Sequence, residues 1–201
     1  YRPDRGKVLD AAALEKVQEF SRYLDVDGDG IAARTLPGVG GKGAYFVRGS
    51  GHDKHAAYTE DSDAYREVVD RIARKFETAA RAVPKPALHL QDGSDVGVVT
   101  IGSCDGAVRE AVDRLREQSI HVNLMRIKAF PFGPEVREFL LRNGTTFVVE
   151  QNRDAQLRSL LAMETGAPRD TMIPILDYSG LPLTATNVVA TVARFLAGTP
   201  Q

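Results

Sequence analysis

The run Val96-Gly97-Val98-Val99-Thr100-Ile101-Gly102-Ser103-Cys104-Asp105 decides how this chain folds. Val96, Val98, Val99 and Ile101 form a short β-rich segment that stops at Gly102-Ser103. Directly after it, Val108, Ala111, Val112 and Leu115 recur at helical spacing and predict a helix over 107–118. The unit then repeats. A strand over His121 to Met125 precedes a helix that opens at Pro134, carries Val136, Phe139 and Leu140, and closes at Asn143-Gly144. A strand over Thr145 to Glu150 precedes a helix with Leu157, Leu160, Leu161 and Met163, ended by Gly166. A strand over Ile173 to Leu176 precedes a helix capped by Thr184 or Thr186, running through Val189, Val192, Phe195 and Leu196 to a stop at Gly198. One helix between successive strands suits a parallel crossover, and such crossovers are right-handed. The expected class is α/β, an open and mostly parallel sheet with helices on both faces. Ligands or partners of such sheets meet the carboxyl ends of the strands. Here those ends are Gly102 to Asp105, Arg126 to Phe130, Glu150 to Asn152, and Asp177 to Ser179.

Before Pro84-Lys85-Pro86 the pattern is different, so residues 1–86 read as a lead-in and 87–201 as the α/β domain. Asp10 is placed to cap a helix running to about Leu24, with Leu14, Val17, Phe20 and Leu24 on one face. The glycine-rich run from Gly38 to Gly51 reads as a surface connection. Asp61 or Ser62 starts a longer helix. Val68, Val69, Ile72, Phe76 and Ala79 form its apolar face, leaving Arg66, Arg71, Arg74 and Lys75 to water or a partner. Pro84 and Pro86 end it.

Hydrophobic residues are 43% of the 201, enough for a sizeable core. With 26 basic and 27 acidic side chains the net charge is -1, which argues against nucleic acid or an anionic membrane as main partner. One cysteine allows no intrachain disulfide and fits a reducing cytoplasm. No apolar run is long enough to span a bilayer, and the N-terminus is not a signal peptide. Tyr1-Arg2-Pro3-Asp4 lacks an initiator Met and reads as the start of a fragment or a processed chain.

Gly38, Gly40 and Gly43 match G-x-G-x-x-G. Arg34-Thr35-Leu36-Pro37 precedes them and a strand-like Ala44-Tyr45-Phe46-Val47 follows, whereas a dinucleotide fingerprint wants a strand before and a helix after. Asp25, Asp27, Asp29 and Gly30 match the opening of a calcium loop, but its twelfth place is Leu36 instead of a bidentate Glu, so an acidic turn is expected. His52-Asp53-Lys54-His55 with Glu60-Asp61 gathers metal-capable groups without cysteines; a hydrogen-bonded loop lining an interface is expected there. Cys104 lies at a strand-to-helix turn, where a helix N-terminus can lower a thiol pKa, but no base is assigned to it. Glu150-Gln151-Asn152 has two readings of equal weight: a ligand or interface role, or a helix start with Asn152 or Asp154 as the cap. No segment holds a complete catalytic set, so no catalytic or metal-binding residue is assigned.

Three stretches together resemble the alpha subunits of 2-oxoacid:ferredoxin oxidoreductases. They are Asp27-Gly28-Asp29-Gly30-Ile31 leading to Arg34-Thr35-Leu36-Pro37-Gly38; Gly51-His52-Asp53 with Thr59-Glu60-Asp61 before a basic helix; and Val149-Glu150-Gln151-Asn152 with Gln156-Leu157. The type most resembled is the 2-oxoglutarate enzyme. Three departures stand out. The family's Glu before His-Asp is Gly51 here, its mid-loop Gly falls near Ala56, and its Gly before Gln-Leu is Ala155.

The resemblance implies a linker plus the end of a preceding domain over 1–86 and a transketolase C-terminal-like domain over 87–201. It implies an enzyme that oxidatively decarboxylates a 2-oxoacid on thiamine diphosphate, reduces ferredoxin through an iron–sulfur cluster, and forms an acyl-CoA. Thiamine diphosphate, Mg²⁺ and a [4Fe-4S] cluster are implied on a beta subunit, with none bound by this segment. A lone cysteine agrees, since a cluster wants four thiolates. The implied setting is a cytoplasmic heterotetramer, the partners being the beta subunit, the rest of the alpha subunit, and ferredoxin and CoA through the complex. The interface or ligand-loop candidates are His52, Asp53, Thr59, Glu60, Glu150, Asn152 and Gln156 from the resembling stretches, with Ser103 from the strand end. The competing expectation is an autonomous small-molecule or nucleotide-binding module that uses the strand-end loops.

Overall fold

The computed structural model describes residues 3–47 and 49–198. The chain forms two compact units, one ending at Ala82 and the other beginning at Val83.

In the first unit, β1 (Val8–Leu9) pairs in parallel with β2 (Arg34–Thr35). Between them lies α1 (Ala11–Lys16), capped by Asp10, which accepts the Ala13 N–H at 2.8 Å. This helix stops at Lys16 and does not continue to Leu24 as its apolar spacing predicts. Tertiary contacts override the pattern. Lys42 Nζ donates to Val17 O at 2.5 Å, and Tyr23 N donates to Lys54 O at 3.2 Å. The Tyr23 ring also stacks on His52 with centroids 4.1 Å apart. Gly41–Gly43 forms a 3₁₀ turn, and Ala44 to Val47 is irregular, not a strand.

The long helix α2 (Ser62–Ala82) starts where expected. Asp61 Oδ1 accepts the N–H groups of Asp63 at 3.0 Å and Ala64 at 2.8 Å. Its packed face is not the expected one. Gly30, at φ +82°, presses on the helix backbone so closely that a Cβ would lie 2.3 Å from Lys75 N. Arg71 Nη1 donates to Gly30 O at 2.8 Å and Thr78 Oγ1 to Asp29 O at 2.7 Å. Arg71 is thus spent on this loop instead of being left to water. Polar groups seat the helix, while Tyr65, Val69, Ile72 and Phe76 stay exposed on another face.

The second unit carries the expected fold. Its strands are β3 (Ala87–His89), β4 (Val96–Ile101), β5 (Asn123–Ile127), β6 (Thr145–Glu150) and β7 (Met172–Leu176). Its helices are α3 (Asp105–Glu117), α4 (Pro134–Arg142), α5 (Gln156–Thr165) and α6 (Ala185–Leu196). The sheet order is β3-β5-β4-β6-β7, with every neighbour parallel except the β3–β5 pair. β3 escaped the sequence reading because three residues behind Pro86 give no usable period. β5 is shifted two residues along from the expected span because Arg126, which interrupts the apolar run, pairs with Asp105 at 3.2 Å and stays in the strand.

Alternation along the strands feeds two cores. Val98, Leu124, Phe147, Val149 and Ile175 pack under α3 and α6; Val99, Met125, Ile127, Val148 and Met172 pack under α4 and α5. A sheet covered on both faces is apolar at successive positions, which is why the strands read as continuous hydrophobic runs. Phe147, fully buried, meets Phe195 edge-on at 5.3 Å. Truncating such a side chain costs about 3–5 kcal/mol. At the amino end of the sheet Asn123 Nδ2 donates to Asn143 Oδ1 at 2.8 Å, and Asn143 Nδ2 to Phe139 O at 2.7 Å. That last bond ends α4 with a side chain in an extended residue, not with a left-handed cap. The sheet's outer strands are the three-residue β3 and β7, which carries Pro174.

Candidate functional site

The connection from β4 leads to β5 on one side, and the next leads back across to β6 on the other. The order of winding therefore reverses between β4 and β6, and a crevice opens at their carboxyl ends. Ser103 Oγ spans it, donating to Gln151 Oε1 at 2.9 Å, with Cys104 Sγ 3.8 Å from the same oxygen. Gln151 Nε2 reaches Leu181 O at 3.4 Å. Gln151 lies in the stretch expected to have a ligand or interface role but is not among the individual residues singled out there. Strand alternation is the signal that finds it, because it turns Glu150 inward and its neighbour Gln151 out into the crevice.

Glu150 is 2% exposed. Its Oε2 accepts Leu157 N at 2.7 Å and Asn152 Nδ2 at 2.6 Å, and its Oε1 accepts Arg158 N at 3.1 Å. Asn152 Oδ1 takes Gln156 N at 3.2 Å. Both residues thus cap α5, Glu150 by reaching over from the strand; Asp154 pairs with Arg153 instead and does not cap. Gln156 is exposed at the first helical position. Ala155, just before it, has φ +50°, and Ala56 in the other loop has φ +68°. The resemblance puts a family glycine at the place of Ala155 and another near Ala56, and left-handed backbone is a physical reason to favour glycine at such positions.

The crevice is poorly built for phosphate. A phosphate site uses the free N–H groups of a helix N-terminus. Here Glu150 already holds those of α5, Asp105 opens α3, and Glu135 opens α4. This electrostatics weighs against the nucleotide-binding expectation. Cys104 does not behave as a lowered thiol either. It is 3% exposed, and burial pushes its pKa up, the Glu150 and Asp177 charges adding to the effect and a backbone hydrogen bond from Gln151 opposing it. The helix start is outweighed by desolvation.

In the first unit the 51–61 loop is held by its own bonds. His52 bridges to Tyr58 in antiparallel fashion, and its Nδ1 lies 3.0 Å from Asp53 O. Asp53 Oδ1 accepts His55 N at 2.9 Å and Ala57 N at 3.0 Å. Thr59 Oγ1 accepts Asp61 N at 3.0 Å, and Tyr58 OH donates to Glu60. A surface cavity of about 550 Å³ is lined by Thr59 to Ser62 with Tyr65, Arg66 and Val69. His52 and Asp53 are not among its walls. In the second unit a cavity of about 460 Å³ runs along β7 and α6, from Pro174 to Phe195, and contains none of the expected residues.

Among the described residues the metal-capable cluster is Asp25, Asp27 and Asp29, not the histidine loop. The lone, buried Cys104 does not fit the ligand set of an iron–sulfur cluster. No helix among the described residues is long and apolar enough to cross a membrane.

Comparison with known proteins agrees with the motifs. Residues 94–174 match the pyruvate:ferredoxin oxidoreductase core domain II. The chain is 29% identical over 197 residues to the alpha subunit of 2-oxoacid:ferredoxin oxidoreductase 2 of Aeropyrum pernix, covering 96% of this chain and 29% of that protein. It is 25% identical over 193 residues to the 2-oxoacid:ferredoxin oxidoreductase alpha subunit of Saccharolobus solfataricus, covering 93% and 29%. Its fold is that of part of the 2-oxoglutarate:ferredoxin oxidoreductase of Magnetococcus marinus, solved with 2-oxoglutarate, coenzyme A and succinyl-CoA bound. That likeness has a TM-score of 0.79 at 24% identity and covers 90% of this chain and 31% of that one. The chain spans less than a third of the length of these relatives. Along nearly its whole length, therefore, the chain is similar to the alpha subunits of 2-oxoacid:ferredoxin oxidoreductases, the family to which its motifs point.

Proposed function

We propose that this chain is the part of an oxidoreductase alpha subunit that docks and positions, without supplying the reacting groups. The observation that carries this is the match over 93–96% of the chain to alpha subunits of that family. In this reading residues 87–201 are the transketolase C-terminal-like domain, and residues 1–86 are the linker with the end of the preceding domain. The whole enzyme oxidises 2-oxoglutarate to succinyl-CoA in the cytoplasm. It does so as a heterotetramer whose beta subunit holds thiamine diphosphate, Mg²⁺ and a [4Fe-4S] cluster and passes electrons to ferredoxin. Thiamine diphosphate there supplies the electron sink for decarboxylation.

This chain's own residues offer surface. Ile101, Phe130, Tyr178 and Leu181 are exposed in or just after the strand ends, around the Ser103–Gln151 crevice. Tyr65, Val69, Ile72 and Phe76 are exposed along α2, beside the cavity at Thr59 and Glu60. Apolar groups in such clusters mark contact with other protein. The test is co-expression with a beta chain and the remainder of an alpha subunit, followed by ferredoxin reduction. The expected result is CoA-dependent reduction with 2-oxoglutarate in preference to pyruvate. An assembled complex that needs no CoA and discriminates no 2-oxoacid defeats the proposal.

A further inference from the structure

Asp25, Asp27 and Asp29 bring one carboxylate oxygen each to within 4.8 Å of the others. Three like charges at that spacing repel unless a cation lies among them. One does, and it belongs to the chain. Lys7 Nζ lies 2.6 and 2.8 Å from the two oxygens of Asp27 and 2.7 Å from Asp29 Oδ1. Lys7 directly precedes β1, and its carbonyl accepts Arg34 N at 2.9 Å, so the sheet pairing on the far side of the loop fixes the base of this side chain.

Asp25 is placed differently. Its side chain is 8% exposed, and its Oδ2 accepts Gly30 N at 3.0 Å and Arg74 Nη2 at 3.4 Å. Its Oδ1 is buried and has no hydrogen-bond partner. The ammonium therefore satisfies two carboxylates of the three and leaves a buried acceptor open. The sequence pattern is that of a calcium loop's first half, whose closing carboxylate is replaced by the exposed Leu36.

We propose that the Asp25 to Gly30 loop is a cation-binding loop whose resident cation is the Lys7 ammonium, and that it admits a divalent ion only when that ammonium is removed. The titration behaviour of the pair is consistent with this. Burial works against the Lys7 charge, but the hydrogen bonds to Asp27 and Asp29 outweigh it and raise the lysine's pKa. The Lys7 hydrogen bond holds Asp29 below the usual carboxylate value. With the amine gone, the Asp27 and Asp29 carboxylates are freed beside the open Oδ1 of Asp25, an all-oxygen set that suits calcium better than the more exacting magnesium. In the wild-type protein the same arrangement makes this part of the fold indifferent to chelators.

The experiment compares thermal unfolding of the full chain, wild type and Lys7→Met, in EDTA and in calcium chloride. Lys7→Gln is run alongside, so that misfolding of one variant leaves the other to decide. Wild type is expected to show no calcium shift. With a dissociation constant of about 1 mM, either variant should gain about 3–6 °C at about 10 mM calcium. Adding Asp25→Asn should abolish that gain. A wild type that shifts as far as the variants overturns the role given to Lys7. Variants that gain nothing from calcium overturn the cation loop and leave a plain acidic turn.

Discussion

Glu150→Gln is the substitution with the most determined consequence. The two side chains have the same shape, so volume is conserved and only the acceptor set changes. Both Glu150 oxygens face donors: Leu157 N and Asn152 Nδ2 on one, Arg158 N on the other. A glutamine amide must therefore aim its NH₂ at an N–H whichever way it flips. Turning Asn152 over does not rescue it, because Asn152 Oδ1 already accepts Asp154 N and Gln156 N. The better orientation loses Arg158 N–H and weakens the other two bonds from charged to neutral strength. A hydrogen bond to a charged group contributes about 1.5–3 kcal/mol against about 0.5–1.5 for a neutral one. Loss of the negative charge at the start of α5 costs up to about 2 kcal/mol more. Relief of a buried carboxylate's desolvation returns part of this. The net expectation is a loss of about 2–3 kcal/mol, or about 4–12 °C in Tm for a chain of this size. Urea unfolding followed by circular dichroism gives the number directly. A loss under about 0.5 kcal/mol, or a gain, refutes the idea that this carboxylate anchors α5.

Ala155→Val should cost more than about 2 kcal/mol, because a β-branched residue at φ +50° is strained. Ala155→Gly should stay within about 1 kcal/mol of wild type, since relief of strain is offset by a lost buried methyl and a freer unfolded chain; denaturant midpoints of the two variants test the contrast. Val69→Asp and Phe76→Asp, both on the exposed face of α2, should leave the isolated chain's stability within about 0.5 kcal/mol, yet prevent co-purification with the beta chain and alpha-subunit remainder of the proposed complex; a variant still captured by them removes that face from the proposed interface. Cys104 should react with iodoacetamide at about pH 8 at least about ten times more slowly in the native chain than in urea. Its native pKa is raised, so its contribution to stability is complete below the unfolded thiol value of about 8.5 and is lost as pH rises through the native value. Stability that instead grows across that alkaline range contradicts the burial argument.

The second unit was legible because its signals are redundant. β4 and β6 were placed correctly from apolar runs ending in Gly102 and Glu150, and Gly166 and Thr184 marked helix ends in the structure as in the sequence. In the first unit the same rules misled. Leu14, Val17, Phe20 and Leu24 do repeat at helical spacing, but the chain after Lys16 is claimed by Lys42, Lys54 and His52, contacts no local pattern encodes. On α2 the apolar stripe predicts the inward face, whereas Gly30, Arg71 and Thr78 seat the helix through polar contacts. At the crevice, Ser103, Glu150 and Asn152 could be named from strand ends. Their division of labour could not, since it depends on which way each side chain leaves the strand. Glu150 turned out to be a helix cap, and Gln151 the residue that meets Ser103.

A flat sheet with open margins is a template for its own copies. Here the two outer strands offer little to copy. β3 presents three residues, too few for a lasting ladder, and Pro174 removes one of the five backbone donors of β7. The segment can therefore be concentrated and assayed on its own with its sheet margins guarded. Association, when it comes, should run through side-chain faces in place of strand addition. A partner of this unit is expected to recognise its side-chain surface in preference to extending its sheet.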